Sequence, residues 1–338
     1  MDRQLWQSLD GSRVDPFVAR GAVSSRSYSK ALQRAIVSFG LDFPYGQCRD
    51  QLFEHYALDV PKSSIRNIVN EHCMRIGAKS CAVVRTLPQK GSEEVVVQID
   101  GSMIATIDRP GKLEGKDLRK IKQIEWREFK LCAAREQGSA KTFYDGGFDK
   151  PEEAGIKAAS CALKAGWSSR TYIHGVGDGA RWIKKQFDCQ FANRGRYLLD
   201  FFHLSEYLAE AAKAAGKDKS WLKSQQLRLK NEAADEVIEE LTALLPELSE
   251  EHRLVVESSI LYMKNRIDQL HYADALAKGL PIGSGIIESA HRHLLQRRLK
   301  VAGAWILENA QNLAASRILR ANEGLDAYWS TCPEENAA

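Results

Sequence analysis

The chain has no Cys-x-x-Cys pair, and its seven cysteines (Cys48, Cys73, Cys81, Cys132, Cys161, Cys189 and Cys332) are an odd number. A disulfide framework or a thiolate zinc site is therefore not expected, and free thiols in a reducing compartment are the simpler reading. No apolar run approaches the roughly 18 residues that a membrane span needs. The opening residues, Met-Asp-Arg-Gln-Leu-Trp, lack the apolar core of a secretory signal. The expected location is the cytoplasm. No segment repeats at a fixed period, and there is no low-complexity tract.

What is present is an ordinary folded composition. Of 338 residues, 44% are hydrophobic and 27% charged, which argues against disorder and for two or three domains. The net charge of +4 decides little by itself. Its distribution says more: from Ser284 to Arg320 six basic residues (Arg292, Arg297, Arg298, Lys300, Arg317 and Arg320) stand against two acids. Such a stretch fits a polyanionic substrate, although a solvated helix face would leave the same pattern.

Residues 1–90 read as mainly helical. Helices are expected over Arg26–Phe39, stopped by Gly40, over Gln47–Tyr56, and over Lys62–Ile76, which has serines at its start and Gly77 at its end. The short link between the last two makes a helix-turn-helix-like unit. The second of these helices offers Lys62, Ser64, Arg66, Asn67 and Asn70, groups suited to phosphates and base edges of DNA. A plain helical hairpin used for packing or dimerisation is the alternative.

From about residue 94 the texture changes to strands, expected over Glu94–Ile104, Ile124–Ala134, Thr142–Tyr144, Thr171–Val176 and Tyr197–Phe202. Helices are expected over Pro151–Ala165 and Arg181–Phe187. This order predicts an α/β layer fold with a mixed sheet. Residues 204–278 read as a helical insertion, with basic Lys217–Lys230 against acidic Glu232–Glu251. Residues 279–330 return to the α/β core, and 331–338 form a tail.

Three acids stand out against this frame. Asp100 closes the run Val95-Val-Val-Gln-Ile-Asp100, and Asp178 follows the run Tyr172-Ile-His-Gly-Val-Gly. Glu288 opens a basic helix after Gly283-Ser-Gly. An unpaired buried carboxylate is costly, so an acid at the end of an apolar strand sits at an edge or holds a cation. If the first and fourth strands are neighbours, Asp100 and Asp178 converge. Carboxylates with waters and substrate phosphates suit Mg²⁺, and two such ions about 4 Å apart can stabilise both the attacking and the leaving oxygen of a phosphoryl transfer. Ser284 is the expected N-cap of the Glu288 helix, with Ile287, Ala290 and Leu294 on an apolar stripe. Glu288, His291 and Arg292 share another face by i+3 and i+4 spacing. Each element alone also has a structural explanation: Gly-Asp-Gly is a common turn, and Glu288 could pair with Arg292.

At these residues the chain resembles bacterial insertion-sequence DDE transposases of the Kra and Lre types, which are Mutator-like. The likeness runs through Gln98-Ile-Asp100-Gly, Gly175-Val-Gly-Asp178-Gly-Ala-Arg-Trp-Ile183, Asp200-Phe-Phe-His203 and Gly279-Leu-Pro-Ile-Gly-Ser-Gly-Ile-Ile-Glu288-Ser. It closes with Gly303-Ala-Trp305 and Tyr328-Trp329. The resemblance implies a ribonuclease-H-like core with sheet order 3-2-1-4-5, and Asp100, Asp178 and Glu288 as metal-binding catalytic acids. It implies an Asp-x-x-His pair at Asp200 and His203, with His203 orienting the scissile phosphate or a nucleophile, although a capping or core histidine would read the same. It also implies two Mg²⁺ or Mn²⁺ ions, cleavage of DNA at transposon ends, and attack of the freed 3′-hydroxyl on target DNA. His291, Arg292, Arg297, Arg298 and Lys300 join the expected DNA contacts. A DNA-induced homodimer at the bacterial nucleoid, with no organic cofactor, is the implied working form. A ribonuclease-H-like nuclease that only hydrolyses, and an inactive domesticated relative that only binds DNA, are the alternatives.

Overall fold

The computed structural model describes residues 6–7, 13–14, 28–78, 87–108, 123–301 and 303–332. They fall into two compact units. One takes described residues up to 80, from 104 to 127 and from 293 onward; the other takes those from 81 to 103 and from 128 to 292.

The first unit is mainly helical: α1 (Lys30–Asp42), α2 (Tyr45–Tyr56) and α3 (Lys62–Gly77), joined late in the chain by the turn Arg297–Leu299 and by helices Leu307–Ala321 and Leu325–Thr331. Ser29 caps α1 by accepting from the Leu32 amide at 3.3 Å. On α3 the buried residues Ile65, Ile68, Val69, Cys73 and Ile76 recur at helical spacing and form its inner face. Gly40 does not end α1 as expected. It lies buried inside the helix, where Val69 of α3 leaves no room for a Cβ. Near the end of the chain, Tyr328 meets buried His72 of α3, with 2.7 Å between the Tyr328 hydroxyl and His72 Nδ1, and Trp329 packs against the same ring. Helices that the sequence reading set in separate regions thus share one core. Trp6–Gln7 and Arg13–Val14 form a two-residue antiparallel ladder.

The second unit holds most of the sheet. Its strands are β1 (Glu94–Asp108), β2 (Gln123–Glu136), β3 (Phe143–Gly147), β4 (Tyr172–Gly177) and β5 (Gly195–Leu199), in spatial order 3-2-1-4-5. β1, β4 and β5 are parallel and β2–β3 is antiparallel, so the sheet is mixed as expected. Helices α4 (Pro151–Lys164) and α5 (Arg181–Phe191) follow β3 and β4. The expected fifth strand, Tyr197–Phe202, stops earlier, at Leu199. Asp200 then caps the next helix, accepting from the Phe202 and His203 amides, and an N-cap carboxylate starts a helix where a strand would otherwise run on. The far end of β1, Thr106 and Ile107, pairs in the first unit with β6 (Trp305–Ile306).

Residues 95–99 of β1 are all buried, as expected of a strand covered on both faces. Alternation sends Val95, Val97 and Ile99 into one core with Ala154, Ala158, Ile183 and Phe187 of α4 and α5. Val96, Gln98 and Asp100 therefore share the opposite face. A second core joins Val176 and Leu199 at the ends of β4 and β5 to the helical insertion. That insertion comprises α6 (Phe201–Ala214), α7 (Lys219–Lys230), α8 (Ala234–Leu244), α9 (Glu250–Lys264) and α10 (Tyr272–Ala277). The expected charge pairing between its basic and acidic stretches is present: Arg228 of α7 pairs with Glu240 of α8, which also accepts from Trp221 Nε1 at 2.5 Å.

No helix among the described residues is long and apolar enough to cross a membrane. The start of the expected Arg26 helix, Cys81, and the far end of the expected 331–338 tail lie outside the described residues.

Candidate active site

The sheet register sets the acids at one level. Gln98 of β1 is opposite Val176 of β4, and Gly177 of β4 is opposite Leu199 of β5. Continued past the paired residues, the register places Asp100 beside Asp178 and Asp178 beside Asp200. Asp178 and Asp200 thus follow the C-terminal ends of β4 and β5, where open α/β sheets gather ligand-binding groups, and Asp100 lies beside them within β1, two residues past its last pairing with β4. Glu288 arrives from α11 (Gly285–Ala290), after the insertion. Asp100, Asp178, His203, Ser284 and Glu288, with Ile99 and Gly177, line one cavity of about 180 Å³. Asp100, Asp178 and Glu288, expected to converge on one sheet edge, line this one cavity beside the central strand.

Each carboxylate has a defined setting. Asp100 Oδ1 accepts from the Gly101 amide at 2.7 Å, and its Oδ2 lies 3.4 Å from His291 Nε2. Asp178 Oδ1 accepts from the Ala180 amide at 2.9 Å. Exposed Glu288 lies with Oε1 3.0 Å from Ser284 Oγ, a hydroxyl whose one proton is shared with Asp200. Burial pushes the Asp100 carboxyl up to about 6, and the like charges of Asp178, Glu288 and Glu128 add to the rise while the Gly101 amide opposes it.

Asp200 differs from the other acids. It is fully buried, and its oxygens accept from the amides of Phe202 (2.6 Å), His203 (3.1 Å) and Ser284 (2.6 Å) and from the Ser284 hydroxyl. With four donors on two oxygens, its geometry is that of a bracket between α6 and the loop before α11. Ser284 stands at the N-cap of α11 as expected, but its hydroxyl does not cap the helix; it joins Asp200 to Glu288.

His203 lies half-buried in the first turn of α6 and lines the cavity. Its ring meets Tyr207 edge-on, with centroids 5.7 Å apart, and Nδ1 is 3.6 Å from Glu206. Tyr207 stacks on Tyr262 of α9 at 4.0 Å, and the Arg266 guanidinium lies 3.9 Å over the Tyr262 ring. Two members of this stack reach the Asp178 turn: Tyr262 donates its hydroxyl to the Asp178 carbonyl at 2.7 Å, and Arg266 Nε donates to the Gly179 carbonyl at 3.0 Å. Gly179 has φ +80, and a Cβ there would lie 2.6 Å from Arg266 Nε. The glycine therefore admits a close approach, but by the protein's own arginine. Tyr262 and Arg266 carried no sequence signal. Gln98 carried one: an amide inside a buried valine-isoleucine run must find partners.

The expected DNA contacts separate by burial. On α3, Lys62, Arg66 and Asn67 are exposed; Ser64 is half-buried; Asn70 is half-buried and accepts from Tyr45 at 3.0 Å. Arg292, Arg297 and Lys300 are exposed. His291 and Arg298 are buried, contrary to the expectation of a surface contact. The His291 ring turns to Asp100. Arg298 donates to the Gly40 carbonyl and lies over the rings of Tyr45 and Trp305. Arg317 is likewise buried and bonded to main-chain carbonyls, and Arg320 pairs with Asp42, so the late basic stretch presents less free charge than its composition promised. The turn His291–Gln296 is π-helical, and Leu295 takes the buried position expected of Leu294.

Among the described residues, no three His, Cys, Asp or Glu side chains already close around one point as metal ligands do. The donor set nonetheless fits a hard divalent cation: three carboxylates face one cavity, and burial, with the neighbouring acids adding to it, raises the Asp100 carboxyl to about 6. No protein-family model matches the chain, and no curated protein matches it in sequence.

Proposed function

We propose that this protein is a DDE transposase of a DNA insertion element, with a ribonuclease-H-like core. The observation that carries the reading is the single cavity that gathers Asp100 of β1, Asp178 just after β4 and Glu288, the third acid coming from a helix after an all-helical insertion.

In this reading Asp100, Asp178 and Glu288 hold Mg²⁺ or Mn²⁺. When bound, the ions neutralise charge on the phosphate and on the attacking and leaving oxygens. The protein's own groups do the positioning. Asp100, within β1, and Asp178, just after the adjacent β4, are each fixed by a backbone amide, which sets their separation before any substrate arrives. Glu288 is steered by the Ser284 hydroxyl. His203, on the cavity wall, has a ring held by Tyr207 and can donate to a phosphate oxygen or orient the attacking hydroxyl. Both water-driven cleavage and 3′-hydroxyl strand transfer are in-line displacements, so no covalent Ser or Cys intermediate is needed. Lys62, Arg66 and Asn67 on α3, with Arg292, Arg297 and Lys300, supply exposed groups for the DNA backbone and base edges.

The test is incubation with a labelled DNA end, target DNA and Mg²⁺, using the wild type and Asp178→Ala. Metal-dependent nicking and joined products are expected from the wild type, and both are lost in the variant. Nicking without joining identifies a nuclease instead. Binding without either reaction leaves only a DNA-binding protein.

A further inference from the structure

The loop before Glu288 is short and irregular, and Glu288 itself is exposed. Its place in the cavity must therefore be set by something other than its own packing. α11 has only six residues and no side-chain cap, so it is a weak support in isolation. Buried polar groups of the sheet and of the turn into α6 do the holding, Asp200 among them through the Ser284 amide and hydroxyl. His174 Nε2 lies 2.8 Å from the Pro281 carbonyl, and the Phe201 amide donates to the Ile282 carbonyl at 2.9 Å. Gln98 reaches furthest. Its Nε2 donates to the Gly283 carbonyl at 3.1 Å, and its Oε1 accepts from the Ile287 amide at 3.0 Å.

Gln98 is only 1% exposed and sits two residues before Asp100, on the same face of β1. One side chain thus ties the strand that carries the first acid to both sides of the turn that launches the third. No other neutral side chain of that length offers a donor and an acceptor side by side: Glu in its charged form cannot donate to Gly283, and Met cannot donate and accepts only weakly. Each lost bond would also leave a backbone group without its partner, at the greater cost for the Ile287 amide, which is buried.

We infer that Gln98 is a positioning residue whose amide fixes the distance between Asp100 and Glu288. The inference rests on the reading of the cavity as a cation-dependent nucleotidyl-transfer site, but its first test is independent of that reading. Amide hydrogen exchange is measured on the full chain for the wild type, Gln98→Met and Gln98→Glu. In Gln98→Met, exchange across 281–290 rises about tenfold or more, while α4 in the same unit keeps its protection. In Gln98→Glu, the Ile287 amide stays protected and only 281–284 loosens, which keeps the question open to decision should the Met variant not fold. Unchanged exchange in the loop, or an equal rise throughout the unit, overturns the inference.

The second test is functional. Mn²⁺ affinity is read by electron paramagnetic resonance without DNA, and kcat and KM by nicking. Loss of an orienting partner predicts about a tenfold to hundredfold weaker Mn²⁺ affinity and a lower kcat, with the KM for DNA within about twofold of wild type. Wild-type Mn²⁺ affinity and kcat in a variant with a loosened loop overturn the positioning role. If the wild type itself neither binds Mn²⁺ nor nicks DNA, the reading of the cavity fails, and the exchange data still decide whether Gln98 holds the loop.

Discussion

Asp100 carries two opposed demands: it ends a buried run, and it faces two other acids. Its carboxyl ionises near 3.8 in the unfolded chain and near 6 in the folded one. Between those values the folded state binds more protons, so the contribution of Asp100 to stability falls as pH rises through that window. Above pH 6 the charged form costs on the order of 2 kcal/mol, after allowing for its partial exposure. Urea denaturation in the presence of a chelator should therefore show Asp100→Asn gaining on wild type by about that amount between pH 4 and pH 7. Parallel curves for the two proteins would remove the electrostatic account of this residue. At this scale the sequence was informative where an acid closed or followed an apolar run, as at Asp100 and Asp178, while the amide of Gln98 inside such a run went unread. It was uninformative about which charged groups are buried. Arg298 and Arg317 look like surface cations in one dimension, and only the aromatic rings and carbonyls brought around them by folding show otherwise.

At the scale of elements, strand ends do the positioning. β4 and β5 stop at glycine and leucine, and the next residue of each is an acid that accepts from the backbone immediately beyond it. This much was legible, because apolar alternation and turn residues locate strands. The exact hand-over was not: the run Tyr197–Phe202 is apolar throughout except for Asp200, and only the cap formed by that aspartate splits it into strand and helix. The role of α9 was also hidden. Tyr262 and Arg266 lie over 80 residues from the Asp178 turn they fasten, and no local pattern links them. α3 gives a separate prediction. Its outer face offers Arg66 and Lys62 free of packing, so Arg66→Ala should weaken DNA binding and lower the slope of log affinity against log salt by about one. Arg298→Ala should instead lower stability by about 2–4 kcal/mol, because it removes a buried, stacked and bonded group. Fluorescence anisotropy across a salt series and urea denaturation separate the two. Equal effects on DNA binding and none on stability would contradict this division.

At the scale of the whole molecule, two units are each assembled from separated stretches of chain. Composition drew boundaries near residues 90, 203, 278 and 330, and the sheet order 3-2-1-4-5 agrees with the expectation drawn from the resemblance. What composition could not give is that Tyr328 and Trp329 meet His72, a contact spanning more than 250 residues. The central claim concerns one cavity in the second unit: Asp100, Asp178 and Glu288 act together, through a divalent cation, on a DNA phosphate. The most direct measurement is the Mn²⁺-dependent nicking rate of Asp100→Asn, Asp178→Asn and Glu288→Gln beside wild type, with DNA affinity followed in parallel. The account predicts that each substitution lowers the rate by roughly a hundredfold or more while DNA affinity holds. A variant of any one of the three that cuts DNA at the wild-type rate would contradict it.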